Sequence, residues 1–318
     1  MYNLLKIPAR VALHFYCRNI TINKPLLLQH EGPLLIAANH PNSFLDAIII
    51  ATLFNKPVYS LARGDAFANK IYTALLGWLN MLPVYRVSEG VENLESNYTT
   101  FAACQEIFKR DGIVLIFSEG RCINEWRLRP LKKGTARLAN TAWQNKIPLQ
   151  VLPLGINYSS FKFFGKNVIL NFGEIMTQKD ILPGTAVGRN IVAFNSILEE
   201  KLRKLVIEID PHEKEKIKKI FYIKQPLWKK VLLFLPAVAG FLFHLPIYYA
   251  IILFIHKRAN DHHDSIVVGL LFILYPIYIV FISWLTFMLT MNPLAWMMVV
   301  LLPFTAWSYV QLKRQIKG

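Results

Sequence analysis

The sequence predicts an α/β domain built on a mixed, largely parallel sheet flanked by helices, followed by a C-terminal helical membrane region. Three observations predict it. Compact apolar runs recur up to Pro226, each separated from the next by a longer mixed stretch. Beyond Pro226, residues 231–255, 266–290 and 294–312 hold no Asp, Glu, Lys or Arg. Hydrophobic residues make up 54% of the 318-residue chain, above the roughly 45–50% of soluble domains.

In chain order, Leu4, Leu5, Ile7, Val11, Ala12, Phe15 and Tyr16 share a broad helical face within residues 1–20. Lys6 and Arg10 interrupt the run and no small-residue cleavage site follows, which argues against a secretory leader. The segment fits an interfacial helix or a helix packed on its own domain. Residues 34–38, 57–62, 113–117, 149–156 and 168–172 read as short buried strands bounded by turn or polar residues. Helical stretches lie between them at 43–53, 66–79, 92–110 and 132–145. Strand–helix alternation implies parallel strands. A polar helix over 188–209 follows, with Glu199, Glu200, Lys201, Arg203 and Lys204 as a solvated face. The organisation read is thus 1–20, an α/β domain over 21–225, and a membrane region over 226–318 with two or three segments.

A membrane span needs about 20 apolar residues, so each late run is long enough. Basic clusters stand at Lys229–Lys230, at Lys257–Arg258, and at Lys313–Arg314 with Lys317. The positive-inside preference would place all of them on the cytoplasmic side, which three simple crossings cannot do. A re-entrant or interfacial hairpin within 231–255, at Pro236, Gly240 and Pro246, would resolve the conflict, leaving 266–312 as a two-pass hairpin turning near Asn292 and Pro293. Labelling of the 257–264 loop from outside intact cells would contradict this arrangement.

Lys and Arg number 36 against 20 Asp and Glu, a formal charge of +16. Such a balance fits nucleic acid or an anionic membrane surface. No zinc-finger spacing, RNA-binding signature or basic repeat is present, and the apolar excess selects the membrane. Cys17, Cys104 and Cys122 are far apart and odd in number, which implies no disulfide framework and fits a reducing compartment. His262-His263-Asp264 has no partner cluster, so no metal site is expected.

Chemistry concentrates where the first apolar run ends, at Asn39-His40-Pro41-Asn42-Ser43-Phe44-Leu45-Asp46. Strand ends in α/β folds are where reactive groups gather. A neutral imidazole can take a hydroxyl proton, and a nearby carboxylate can fix its tautomer and stabilise its charged form. Ser43 and Asp46 also fit a helix-capping pattern, so Asp46 has a purely structural alternative.

These residues resemble the glycerolipid acyltransferase family, which includes lysophosphatidate and glycerol-phosphate acyltransferases. The family has an Asn-His start, a loop and an Asp; its usual loop is one residue shorter than residues 41–45 here. Pro83-Val84-Tyr85-Arg86 is similar to the second family block, and Leu61-Ala62-Arg63-Gly64-Asp65-Ala66-Phe67 to the basic segment that precedes it. Ile116-Phe117-Ser118-Glu119-Gly120-Arg121-Cys122 resembles the third. There Ser118 replaces the usual Pro, and Arg121 sits one place early with Cys122 in the common Arg position. Leu131-Lys132-Lys133-Gly134-Thr135 is similar to the family's Lys-Gly segment, 151–156 to its fourth block, and Asn171-Phe172-Gly173-Glu174 to its later strand and turn. The resemblance covers about residues 30–175 and leaves out the apolar tail.

The resemblance implies direct acyl transfer from acyl-CoA or acyl carrier protein to a phosphorylated glycerolipid acceptor, first of all lysophosphatidate. It implies His40 as base, Asp46 as its orienter, and Arg86, Glu119, Gly120 and Arg121 as substrate-binding residues. Arg suits phosphate because its planar fork meets two oxygens; Glu119 could orient either the loop or the substrate. No cofactor is required. The apolar tail implies a membrane location, and the basic loops with a compact anchored domain suit a bacterial inner membrane with the catalytic domain cytoplasmic. Glycerol 3-phosphate or a lyso-aminolipid are alternative acceptors. A non-catalytic lipid-binding scaffold is the alternative from another class.

Overall fold

The computed structural model describes residues 2–85, 96–181, 187–210, 212–255 and 262–315. Its elements run α1 (Tyr2–Tyr16), β1 (Cys17–Ile22), β2 (Leu34–Ala38), α2 (Phe44–Leu53), β3 (Val58–Arg63), α3 (Lys70–Trp78), β4 (Met81–Val84), α4 (Ser96–Lys109), β5 (Ile113–Phe117), α5 (Gly134–Gln144), β6 (Gln150–Tyr158), β7 (Lys166–Phe172), α6 (Val187–Arg203), α7 (Lys214–Phe221), α8 (Leu227–Ile255), α9 (His263–Thr290) and α10 (Met298–Leu312).

Among the described residues seven strands form one sheet, in the order β1-β7-β6-β2-β5-β3-β4. β2 pairs in parallel with β5 and β6, and β3 in parallel with β5 and β4. Every residue of β2 is buried, the signature of a parallel strand covered on both faces. One face presents Leu35, Ala37, Val114, Ile116 and Val151 to Phe108 of α4, Leu138 and Ala142 of α5, and Phe194, Leu198 and Leu202 of α6. Ala38 lies opposite Phe117 on one side and Leu154 on the other, so β2 and β5 end together while β6 continues to Tyr158.

Two differences from the sequence expectation have local causes. The polar helix expected to reach 209 stops at Arg203. Beyond it, Asn157 Oδ1 accepts the Ile207 N–H, and the Leu205 carbonyl accepts from Asn157 Nδ2 and Asn171 Nδ2. These long-range bonds replace the helix's own ladder. The hairpin expected within 231–255 is not formed: residues Leu227–Ile255 make one continuous helix through Pro236 and Pro246. Proline is tolerated in a long apolar helix when neighbouring groups satisfy the freed carbonyls.

The chain divides into two compact units. The first comprises Met1–Pro8, Thr21–Asn157 and Ile169–Asp210. The second comprises Ala9–Ile20, Tyr158–Val168 and Pro211–Gly318 and contains three helical stretches, Leu227–Ile255, His263–Thr290 and Pro293–Leu312, long and apolar enough to cross a membrane. Within the protein only 22%, 11% and 22% of their most apolar windows are buried, so most of that surface faces outward. An apolar surface of this extent is consistent with membrane association. α8 and α10 approach closely at Gly240, where a Cβ would stand 2.1 Å from the Thr305 carbonyl oxygen. α9 and α10 are joined by the turn expected near Asn292, with Met291 in the left-handed conformation at φ 52°.

The second unit also holds a buried ion pair, Lys166 with Asp264. Tyr16 donates its hydroxyl to Asp264 Oδ1 at 2.6 Å, and the Lys166 ammonium lies 5.6 and 5.7 Å from the Tyr16 and Tyr158 ring centroids. Asp264 sits in the first turn of α9, where the helix dipole favours a carboxylate.

Candidate active site

His40 stands two residues beyond the end of β2 and Asp46 lies in the first turn of α2. The structure brings His40 Nδ1 to 2.9 Å from Asp46 Oδ2. That carboxylate is fully buried, and its Oδ2 also accepts the Asn42 N–H at 2.8 Å. Ser43 makes no side-chain cap to α2. The imidazole lies flat on Phe117, centroids 3.8 Å apart and planes 9° from parallel. With Nδ1–H given to Asp46, the Nε2 lone pair is left to take a proton. Nε2 has no hydrogen bond among the described residues, and the side chain keeps 17% of its surface open.

The backbone under the histidine is held from both neighbouring strands. Asn39 mimics a strand: its Oδ1 accepts the Ile156 N–H at 2.7 Å and its Nδ2 donates to the Ile156 carbonyl at 3.1 Å. On the other side, Ser118 N–H donates to the Ala38 carbonyl at 2.8 Å. Glu119 follows, buried, and both of its oxygens are occupied. Oε2 accepts the His40 N–H at 3.1 Å and Arg129 Nη2 at 3.2 Å, while Oε1 accepts the Arg129 N–H at 2.9 Å. Glu119 thus ties the His40 backbone to Arg129. Gly120 adopts φ +72°, and a Cβ there would stand 2.9 Å from Lys132 Cγ. Only glycine takes both that dihedral and that approach without strain.

Arg121 presents an exposed side chain, and its carbonyl accepts from Arg129 Nη2. Arg86 lies outside the described residues. Arg63, at the end of β3, pairs with Asp65. Among the described residues no three His, Cys, Asp or Glu side chains cluster as metal ligands.

Sequence reasoning did not single out Phe117 as the histidine's platform, nor Arg129 as Glu119's partner. Phe117 was within reach, as the last apolar residue of a strand beside the histidine strand. Arg129 carried no signal, because it reaches Glu119 through an irregular loop. Arg129→Ala should leave the Glu119 carboxylate with its backbone partners alone, costing about 1.5–3 kcal/mol. Thermal melts beside transfer rates check this; Arg129→Lys should recover part of the stability.

The site thus holds a histidine with a buried carboxylate partner and an unengaged Nε2 at the exits of parallel strands, an arrangement able to accept a proton from a hydroxyl. Residues 19–157 match the family model described as Acyltransferase, so this part of the chain carries an acyltransferase domain. No curated protein matches the sequence. Among solved structures, the chain is similar to the crystal structure of the 1-acyl-sn-glycerophosphate (LPA) acyltransferase PlsC from Thermotoga maritima. Identity is 14% and the TM-score 0.43, over 66% of this chain and 81% of that one. A likeness of that size carries no argument about the reaction.

Proposed function

We propose that the chain is a membrane-bound O-acyltransferase of phospholipid biosynthesis, which moves a fatty acyl group from an acyl thioester onto the hydroxyl of lysophosphatidate to give phosphatidate. The observation that carries the reading is the His40–Asp46 pair inside the acyltransferase domain, with Nε2 unengaged. The acceptor hydroxyl gives its proton to Nε2 as its oxygen attacks the thioester carbon. An ester C–O bond forms, the C–S bond breaks, and the thiolate leaves with the proton returned from the imidazolium. Asp46 stabilises that imidazolium. The exposed Arg121, with Arg86, is assigned to the acceptor phosphate.

Membrane attachment is read from the three long apolar helices and from α3, which buries none of its residues and exposes Ile71, Tyr72, Leu75 and Trp78. The excess of cations fits an anionic lipid surface, with the catalytic domain on the cytoplasmic face of a bacterial inner membrane. The assignment of 21–225 to catalysis, 226–318 to the membrane and 1–20 to the interface belongs to the same proposal.

The test offers purified full-length protein lysophosphatidate and glycerol 3-phosphate, each with acyl-CoA and with acyl carrier protein. Phosphatidate formed from lysophosphatidate is the expected product. Transfer to glycerol 3-phosphate alone would move the assignment to first-position acylation, and transfer to neither would remove phosphate acceptors. Arg121→Ala should raise KM for the phosphorylated acceptor about 10-fold or more, in line with a lost charged hydrogen bond of ~1.5–3 kcal/mol, while KM for the acyl donor stays unchanged.

A further inference from the structure

We infer that Cys122 is a positioning residue for the catalytic pair, clamping through its sulfur the joint between the His40 loop and the helix that carries Asp46. Two loops lie side by side here, 40–46 after β2 and 118–124 after β5. They are tied at successive points. His40 N–H donates to Glu119 Oε2 at 3.1 Å, Ile123 N–H to the His40 carbonyl at 3.3 Å, Asn124 Nδ2 to the Pro41 carbonyl at 2.7 Å, and Ser43 N–H to Cys122 Sγ at 2.9 Å. The first three hold the start of the loop. Of these four ties, the Cys122 contact lies furthest along it.

Ser43 is the strained point of this loop. It adopts φ 53° and ψ −136°, a backbone conformation that a residue with a Cβ keeps only where its surroundings fix it. α2 begins at the next residue, and the Asp46 N–H donates to the Ser43 carbonyl at 3.2 Å. A change in the Ser43 peptide therefore moves the start of α2, and with it the carboxylate relative to the imidazole. Positioning of reacting groups is sensitive to small displacements, about 10²-fold in rate for about 1 Å. Sulfur suits the place because it is large enough to span the gap between the loops while accepting an N–H. Cys122 is part-exposed, whereas Cys17 and Cys104 are buried and their thiols are pushed up to about 12 by burial. The clamp is thus the thiol most open to small reagents.

The experiment compares wild type, Cys122→Ala and Cys122→Ser in full-length protein, by steady-state transfer and by the rate at which diethylpyrocarbonate modifies His40, followed by peptide mass spectrometry. The kinetic arm rests on the acyltransferase reading; the labelling arm does not. The expected result for Cys122→Ala is a fall in kcat of about 10-fold or more with both KM values within about two-fold. His40 labelling should change at least about three-fold while the other histidines keep their rates. Cys122→Ser, whose Oγ also accepts an N–H, should recover most of both. If Cys122→Ala keeps the wild-type kcat and the wild-type His40 labelling rate, the proposal is overturned. If the wild type transfers to no acceptor, the proposed function falls and the labelling rates alone decide the clamp. Should Cys122→Ala fail to fold, folded wild type treated with methyl methanethiosulfonate takes its place. Its thiolate displaces methanesulfinate to give a methyl disulfide, and reductant reverses the change. Loss of rate and altered His40 labelling, both restored by reductant, support the clamp; neither change sinks it.

Discussion

His40→Ala is expected to lower kcat for acyl transfer by about 10²–10⁴-fold, with KM for the acyl donor little changed. The loss falls on kcat because the imidazole takes a proton only as the hydroxyl attacks, so it stabilises the transition state and not the bound substrates. The scaffold around it should survive. His40 contributes its backbone N–H to Glu119 and its carbonyl to Ile123, and an alanine keeps both. What is lost is the ring on Phe117 and the bond to Asp46. Asp46→Asn separates orientation from charge. The amide oxygen can still accept from Asn42 N–H and from Nδ1–H, yet it carries no charge to balance the imidazolium. A loss of about 10²-fold or more is expected from that change alone. Measured together, the pair should be strongly non-additive, since Asp46 acts only through the ring it holds. An active His40→Ala protein would reject His40 as the base, whereas no transfer by either protein would favour another acceptor or the scaffold reading.

Much of the sheet was legible because parallel strands buried on both faces spell themselves as unbroken apolar runs, as in Leu34–Ala38 and Ile113–Phe117. β1 was not, because Cys17–Ile22 contains Arg18, Asn19 and Thr21 and alternates in burial along an outer strand. β4 has only four residues, one of them Pro83, at the opposite edge. Proline there breaks the local strand signal. At the site, the nearness of His40 and Asp46 could be read because both lie within seven consecutive residues, on one loop and the turn that follows. What no local pattern contains is the zipper between the loops after β2 and β5. It depends on those strands being neighbours, a fact of topology. The two departures from the family pattern that the sequence displayed, the longer His-to-Asp loop and a cysteine in the common Arg position, looked unrelated along the chain. In space they meet, with Ser43 N–H on Cys122 Sγ.

Asp264→Ala is expected to be the most destabilising single change in the second unit, by about 3–5 kcal/mol, because it leaves the Lys166 ammonium buried without its counter-charge. Both side chains of this pair have no exposed surface. The neighbouring rings can offer the cation only their faces, worth about 0.5–2 kcal/mol each, which does not replace a carboxylate. Tyr16 would suffer as well, since its hydroxyl donates to Asp264 Oδ1 and burial holds that phenol neutral. Lys166→Met alone should cost a similar amount, removing the cation while the Tyr16 hydroxyl, His263 Nδ1 at 3.4 Å and the α9 dipole stay beside the carboxylate. The double variant Lys166→Met with Asp264→Leu removes both charges and keeps apolar volume, so it should lie far closer to wild type than the sum of the single changes. Buried ion pairs replaced by well-packed apolar groups are often neutral or even stabilising. Denaturant unfolding of the detergent-solubilised protein, run on the wild type, both single variants and the double, gives the coupling directly. Additive losses would mean that Lys166 and Asp264 are each held by other partners. A coupling of several kcal/mol would identify the pair as what fixes the start of α9 against the β7 segment of the same unit, and would explain why an otherwise uncharged helix of 28 residues opens on a buried aspartate.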